Sequence, residues 1–317
     1  MDGSRNKATS APAQERDTLA SLKPVGVIEI PGAAGSEFDH GIFDPASGRV
    51  FIAHTARSTI EVIDPAAGRH IATLPDFPGA AGAVADDGEI LVTNRGSASL
   101  AWLDGRTLRT KAVMKSGPRP NGAAIVKRLG LGIAACIGDE GEKPTLQAFR
   151  LDTGSRLTLN LPGRPRWCVT DAAAERLFLC IREPSMILVA GLPDLKLLEQ
   201  WKLPSGGAHG LDIDHTQNRL YAACDDGHLV EVDSRSGDIT NGWPIAGPPD
   251  VTFFNPMSGR VHVAIGEPGL VETIEPKTGK RSQIATAPGA HTTVLVPPDR
   301  LYVISPAHGG VLVLADA

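Results

Sequence analysis

Aromatic residues and cysteines are scarce in this chain of 317 residues. It contains two tyrosines, four tryptophans and eight phenylalanines, so small and aliphatic side chains must fill the interior. Its four cysteines are too few for a disulfide framework in a chain of this length, and we interpret them as buried small apolar residues. The composition therefore indicates tightly packed elements whose inner positions hold small side chains.

Long hydrophobic runs are also missing. No segment is apolar and long enough to span a membrane, and the first nineteen residues, MDGSRNKATSAPAQERDTL, lack the apolar region of a signal peptide. The formal net charge of −5 offers no basic surface to nucleic acid or to an anionic membrane. We therefore expect a cytoplasmic protein without nucleic-acid or membrane partners. If the start codon is misassigned, the periplasm is the alternative location.

Short catalytic motifs are absent as well. The chain has no HExxH or GxSxG motif, no phosphate-binding loop and no CxxC pair. No reaction can be assigned from a local motif, so any chemistry must come from residues that the fold brings together.

A repeating pattern of short strands is the strongest signal that the sequence does contain. Residues 49–74, RVFIAHTARSTIEVIDPAAGRHIATL, form three short runs, two of them alternating apolar and polar residues, separated by turns rich in Pro, Gly and Asp. Copies of this segment begin at Glu89, Arg176, Arg219, Arg260 and Arg300, with a looser copy at Leu131. Their period of roughly 40–45 residues is the length expected of a four-stranded propeller blade.

The segment Ile90–Asp104, ILVTNRGSASLAWLD, and its copies resemble the YVTN or YncE-like β-propeller repeat family. The resemblance covers nearly the whole chain from Lys23 onward and implies an all-β fold, while it says almost nothing about chemistry. The Trp-Asp and Gly-His signatures of WD40 blades do not recur at this period, which disfavours that family.

These observations predict a single seven-bladed β-propeller of four-stranded blades over residues 23–317, preceded by a disordered polar tail over residues 1–22. Val25–Ile30 is a strand without a blade of its own, and the last blade ends after about three strands. Because a propeller must hide its edges, we expect Val25–Ile30 to pair with Val311–Leu314 and close the ring.

Polar side chains gather where the predicted fold places one mouth of the central channel. The inter-blade linkers and the loops between second and third strands supply the candidate ligand-binding residues Asp39, His40, His54, Asn121, Arg166, Trp167, His209, Asp225, Asp250, His291 and His308. Counting across the intervening turn places His209 near Asp225. Histidines and carboxylates in one cavity can bind a divalent metal or act as acid and base near neutral pH.

Three interpretations of this mouth remain open. It can bind a small molecule or a partner protein. Alternatively, a hydrolase, lactonase or lyase can use the His and Asp residues, either without a metal or with one divalent metal held by His40, His209 and His291. The third interpretation is a solvated rim, where polar side chains satisfy the backbone groups of turns. The sequence assigns no catalytic residue among these.

Overall fold

Residues 19–20, 22–173 and 175–316 are described by a computed structural model, and their strands form seven four-stranded antiparallel sheets. The strand β1 (Lys23–Glu29) precedes the first blade. Blade one contains β2 (Gly41–Asp44), β3 (Arg49–His54), β4 (Thr59–Asp64) and β5 (Arg69–Leu74). Blade two contains β6 (Ala80–Asp86), β7 (Glu89–Asn94), β8 (Ser99–Asp104) and β9 (Thr110–Lys115). Blade three contains β10 (Pro120–Val126), β11 (Leu131–Cys136), β12 (Thr145–Arg150) and β13 (Arg156–Asn160). Blade four contains β14 (Pro165–Asp171), β15 (Arg176–Ile181), β16 (Met186–Gly191) and β17 (Lys196–Lys202).

The remaining strands complete the ring. Blade five contains β18 (Ala208–Asp214), β19 (Arg219–Cys224), β20 (His228–Asp233) and β21 (Ile239–Pro244). Blade six contains β22 (Thr252–Asn255), β23 (Arg260–Ile265), β24 (Leu270–Glu275) and β25 (Lys280–Ala285). Blade seven contains β26 (Thr292–Val296), β27 (Arg300–Ser305) and β28 (Gly310–Ala315). Four short 3-10 helices lie at Thr55–Arg57, Arg95–Ser97, Lys127–Leu129 and Pro306–His308.

Contacts between the innermost strands run in cyclic order from β2 through β6, β10, β14, β18, β22 and β26 back to β2, so the blades surround a channel. The second and third strands of each blade are covered on both faces by neighbouring blades. In β3, for example, Val50, Phe51, Ile52 and Ala53 have no exposed surface. Outer strands such as β5 are half exposed. The predicted all-β, seven-bladed propeller is therefore confirmed.

The ring closes as predicted, through pairing of the N-terminal and C-terminal strands. In the antiparallel pair of β1 and β28, Val27 lies opposite Leu312 and Ile28 lies opposite Val311. Ile28 is buried in the core shared by blades seven and one. Most of the predicted tail over residues 1–22 lies outside the described residues. At its end, Leu22 is buried among residues of blades six and seven, so packed structure begins just before Lys23.

The four cysteines, Cys136, Cys168, Cys180 and Cys224, are buried free thiols, as the sequence predicted. Burial raises the pKa of the Cys136 thiol to about 11, so it remains protonated at neutral pH. No helix in the described part of the chain is long and apolar enough to cross a membrane.

Candidate functional site

Backbone irregularities at one end of the inner strands place polar side chains at the channel mouth. The pairing register shifts at the start of β10, β14 and β18, within Pro120–Ala123, Pro165–Cys168 and Ala208–Gly210. Such a shift leaves one or two residues outside the regular ladder and redirects their side chains. Asn121, Arg166-Trp167 and His209 occupy these irregular positions, and all four residues line one cavity.

Asp250 lies at the centre of the acidic side of the mouth. Its Oδ2 accepts a hydrogen bond from Nδ1 of His291 at 2.5 Å, while its Oδ1 lies 3.4 Å from Nε2 of His209 and 3.9 Å from Nε2 of His40. Burial alone would raise the pKa of Asp250, but the hydrogen bonds from His209 and His291 hold it well below its usual range. Asp250 is therefore an anion that three histidines surround.

Two of these histidines, His209 and His291, are correspondingly biased toward the protonated form. Burial would lower the pKa of His209, but hydrogen bonds to Asp225 and Asp250 outweigh burial and raise it. The hydrogen bond to Asp250 raises the pKa of His291. Asp225 accepts from Nδ1 of His209 at 2.8 Å and from Nε of Arg182 at 2.7 Å. The predicted proximity of His209 and Asp225 is therefore confirmed.

A second His–Asp pair, formed by His40 and Asp39, lies next to Asp250. Nδ1 of His40 is 2.5 Å from Oδ1 of Asp39, and the other oxygen of Asp39 is 2.8 Å from Nη2 of Arg95. Arg95 also donates to the side-chain oxygen of Asn121. The His40 ring stacks on Trp167 with a centroid separation of 4.0 Å and an interplanar angle of 10°. This stack fixes the plane of the imidazole.

Three arginines face these groups across a cavity of about 220 Å³, which we name the arginine cavity. Arg119, Arg164 and Arg166 line it, and no described carboxylate lies within 4 Å of their guanidinium groups. Nε of Arg166 is buried without a hydrogen-bond partner. Burial lowers the pKa of both Arg164 and Arg166, and the crowding of like charges lowers it further. The guanidinium groups therefore lack the anion that would stabilise them.

The structure brings most of the predicted site residues together and leaves two outside this group. Those at the mouth are Asp39, His40, Asn121, Arg166, Trp167, His209, Asp225, Asp250 and His291. His54 is instead fully buried under Phe38, where its ring nitrogens contact Glu61 and Ser36. His308 is exposed on the 3-10 helix of blade seven, and its ring contacts Ser305.

The three histidines predicted as metal ligands do not form a metal site in this arrangement. Each of His40, His209 and His291 has a ring nitrogen engaged by a carboxylate. Among the described residues, no group of three or more His, Cys, Asp or Glu side chains is arranged to hold a metal ion. We derive no chemistry through a metal at this mouth.

Several arginines of the site were not predicted. Arg119 and Arg164 line the cavity, and Arg182 contacts its neighbour Asp225. A signal for two of them exists in the sequence, because Arg119-Pro120 and Arg164-Pro165 are the same dipeptide at the same place, just before an innermost strand. A repeated charged residue in an inter-blade linker thus marks the mouth.

Comparison with known proteins places the chain by fold. No protein-family model and no curated protein matches it. Similar solved structures include a chain from a mitotic checkpoint complex, with a TM-score of 0.78, 10% identity and coverage of 99% of this chain and 98% of that one. A hydrazine synthase of Kuenenia stuttgartiensis has a TM-score of 0.78 and 11% identity, covering 97% of this chain and 99% of that one. A streptogramin B lyase has a TM-score of 0.74 and 13% identity, covering 93% and 96%. At such identities the likeness shows the fold alone: the chain is a seven-bladed β-propeller.

Proposed function

We propose that this propeller binds a small anionic ligand at the mouth of its channel. The observation that carries the proposal is an excess of positive charge at one cavity. Asp39 is paired with Arg95, Asp225 with Arg182 and Asp250 with His291, so each of these three carboxylates already has a cation. Arg119, Arg164 and Arg166 have no such partner among the described residues.

The protein as a whole is acidic, with a net charge of −5, so this local excess of arginine is not a general property of its surface. Guanidinium groups bind carboxylates and phosphates through paired hydrogen bonds, and partial burial strengthens those bonds. The half-buried Arg166, with its buried and unpartnered Nε, supplies an unused donor at the cavity wall.

Calorimetric titration with phosphate, sulfate, succinate and citrate tests the proposal. We expect binding by the wild type and a loss of affinity of about tenfold or more in Arg166→Gln, because a charge-assisted hydrogen bond contributes about 1.5–3 kcal/mol. The matched control is Arg128→Gln, which removes an exposed arginine from the turn between β10 and β11, at the opposite end of these strands. Absence of binding for every anion would contradict the proposal.

Catalysis on an anionic substrate is the second candidate, and one arrangement favours it. Asp39 engages Nδ1 of His40, and Trp167 holds the ring, which leaves Nε2 of His40 on the side of Asp250 and the cavity. An oriented imidazole opposite arginines can move a proton while the arginines stabilise an oxyanion. Lyase activity, named for one of the similar structures, is one such chemistry. Proton NMR of the titrated samples separates the two candidates, because only an enzyme changes the bound anion.

We also propose that the chain belongs to the YVTN or YncE-like repeat family. The recurring strand–turn–strand segments, such as the one spanning β7 and β8, support this membership. A cytoplasmic location stays a prediction.

A further inference from the structure

A second cavity lies at the same mouth, between blades seven and one. It measures about 350 Å³, and we name it the side cavity. Its walls are formed by Phe38, Pro288, Thr292, Ile304 and Pro306, with Glu37 and His291 also contributing. Among the residues that the structure describes, no lysine or arginine lines it. The side cavity is therefore largely apolar, in contrast to the arginine cavity.

The two cavities share a wall. Asp39 lines the arginine cavity and its chain neighbour Phe38 lines the side cavity. Asp250 lines the first and is hydrogen-bonded to His291, which lines the second. The His291 side chain is 34% exposed, so the top of this wall reaches the solvent. A ligand in the arginine cavity can therefore extend over His291 into the side cavity.

Size and charge both favour one ligand that occupies the two cavities. The arginine cavity alone, at about 220 Å³, is smaller than ligand pockets usually are, since these measure about 300–1,000 Å³. Glu37 is the one carboxylate that the described residues contribute to the side cavity, and it repels a second anionic group there. The anionic group of such a ligand is thus directed to the arginines and its uncharged part to the apolar walls.

We infer that the ligand of this site is an anion with a compact apolar body, that is, an aryl or short alkyl carboxylate or phosphate monoester. This inference rests on the proposed function, which it narrows from any small anion to an amphipathic one. The oxyanion binds Arg119, Arg164 and Arg166. The apolar body passes His291 and packs against Pro288 and Pro306.

Matched pairs of ligands test the inference. Isothermal titration compares phenyl phosphate with inorganic phosphate, and benzoate with acetate, so that each pair differs only in the apolar body. We expect the larger member of a pair to bind at least about tenfold more tightly, because burial of an apolar group of this size is worth a factor of that order. The phosphate pair and the carboxylate pair together show which head group the arginines prefer.

A charge placed in the side cavity provides the structural control. Pro288→Glu puts a carboxylate at an exposed turn on its wall and should abolish the advantage of phenyl phosphate while leaving inorganic phosphate binding within about twofold. Pro306→Glu, on the 3-10 helix, repeats the change from the other wall. The matched control Pro256→Glu lies in the turn between β22 and β23, away from this mouth. It should still bind phenyl phosphate more tightly than inorganic phosphate.

The outcomes distinguish this inference from the proposed function. If inorganic phosphate binds and phenyl phosphate binds no better, the amphipathic ligand is excluded while anion binding stands. The amphipathic ligand is likewise excluded if Pro288→Glu and Pro306→Glu both still bind phenyl phosphate more tightly than inorganic phosphate. If no ligand of either pair binds, both proposals fail.

Discussion

Asp250 illustrates how single residues set the charge of the mouth. It is one carboxylate that contacts histidines from three separate blades, and the bond to His291 is as short as 2.5 Å. Each protonated histidine adds one positive charge beside the arginines. The protonation state of His209 and His291 therefore decides how strongly the mouth attracts an anion.

Anion binding should become stronger as the pH falls, because these histidines gain protons. Because hydrogen bonds to carboxylates raise the pKa values of His209 and His291 above their usual range, both rings are more protonated at about pH 6 than at about pH 8.5. We expect the affinity for sulfate, whose own charge is constant in this range, to rise several-fold over that interval. Calorimetric titration at the two pH values measures it.

The control for that prediction is His291→Gln, which removes one of the two titrating groups and should reduce the pH dependence. The stability of the fold should depend on pH in the same direction. The His–Asp pairing stabilises the fold fully below pH 6.5, and this contribution is lost as the pH rises through the raised pKa values. Equal sulfate affinity at both pH values would exclude a role for these histidines.

The candidate site was predictable from the sequence only in part, and individual residues show why. His209 and Asp225 were paired correctly because both flank the same turn, so local spacing fixes their distance. His54 was misplaced because its side chain turns under Phe38 toward Glu61, and spacing does not tell which way a strand-end side chain points. Arg164 and Arg182 were missed although the same count applies to them, since the Arg182 N–H donates to the Arg164 carbonyl at the end of the β14–β15 hairpin.

At the scale of the strand, the third strands of some blades carry a buried polar side chain at their third position. Glu61 in β4, Gln147 in β12 and Glu272 in β24 each occupy the third position of the strand, and all are buried. Gln147 and Glu272 accept hydrogen bonds from backbone N–H groups of Gly117 and Ala246. These side chains thus attach an inter-blade linker to the next blade.

Glu61 connects three strands of blade one, and its loss should destabilise the protein. Its oxygens accept from His54 and Thr59 on one side and from His70 and Thr73 on the other. Burial would raise its pKa, but these four hydrogen bonds lower it to about 2. We expect Glu61→Gln to reduce the free energy of unfolding at pH 7 by about 2–3 kcal/mol, measured by urea denaturation.

The pH dependence of that loss is a further check. The charged form of Glu61 is the stabilising form, so its contribution is present above pH 4.5 and declines as the pH falls toward 2. The difference in the free energy of unfolding between wild type and Glu61→Gln should therefore shrink as the pH falls. Glu29→Gln, at an exposed position of β1, is the control. It should change neither the free energy of unfolding at pH 7 nor its dependence on pH. A loss in Glu61→Gln that is independent of pH would show that its charge is not what stabilises blade one.

The fold itself was predictable from the sequence to a greater extent than the site. The segment LKLLEQW resembles a helix locally, yet it lies in β17, the fourth strand of its blade, as the repeat requires. The repeat resolves such local ambiguities, because every blade shows the same order of strands. A binding site occurs only once in the chain, so no repeated copy helps to identify its residues.

At the scale of the whole molecule, the two ends of the chain hold the ring together. β1 pairs with β28, while Asp316 beyond β28 is bonded to Asn255 at 2.8 Å and to Arg260 at 2.7 Å in blade six. Its carboxylate is completely buried, and hydrogen bonds from His262, Ser258 and Arg260 override burial to lower the pKa of Asp316. The closing blade is thus attached on both sides.

Removal of the closing strand should therefore destabilise the entire ring. Deletion of residues 1–30 exposes the edge of β28 and removes Ile28 and Ile30 from the core, so we expect a large fall in the melting temperature or loss of cooperative unfolding. Deletion of residues 1–18 is the control and should leave the melting temperature nearly unchanged. Differential scanning calorimetry compares the two, and an equal loss from both would contradict the role assigned to β1.

The pairing of β1 with β28 also determines how the molecule is oriented when it is attached to something else. Lys23 lies opposite Ala315, and Ala315 lies opposite Arg300 at the end of β27 that is remote from the mouth. Polypeptide joined before Lys23 or after Ala315 therefore departs from the far face of the disc. A propeller tethered through either end to a bead, a sensor chip or a neighbouring domain would present the arginines outward and leave their entrance unobstructed.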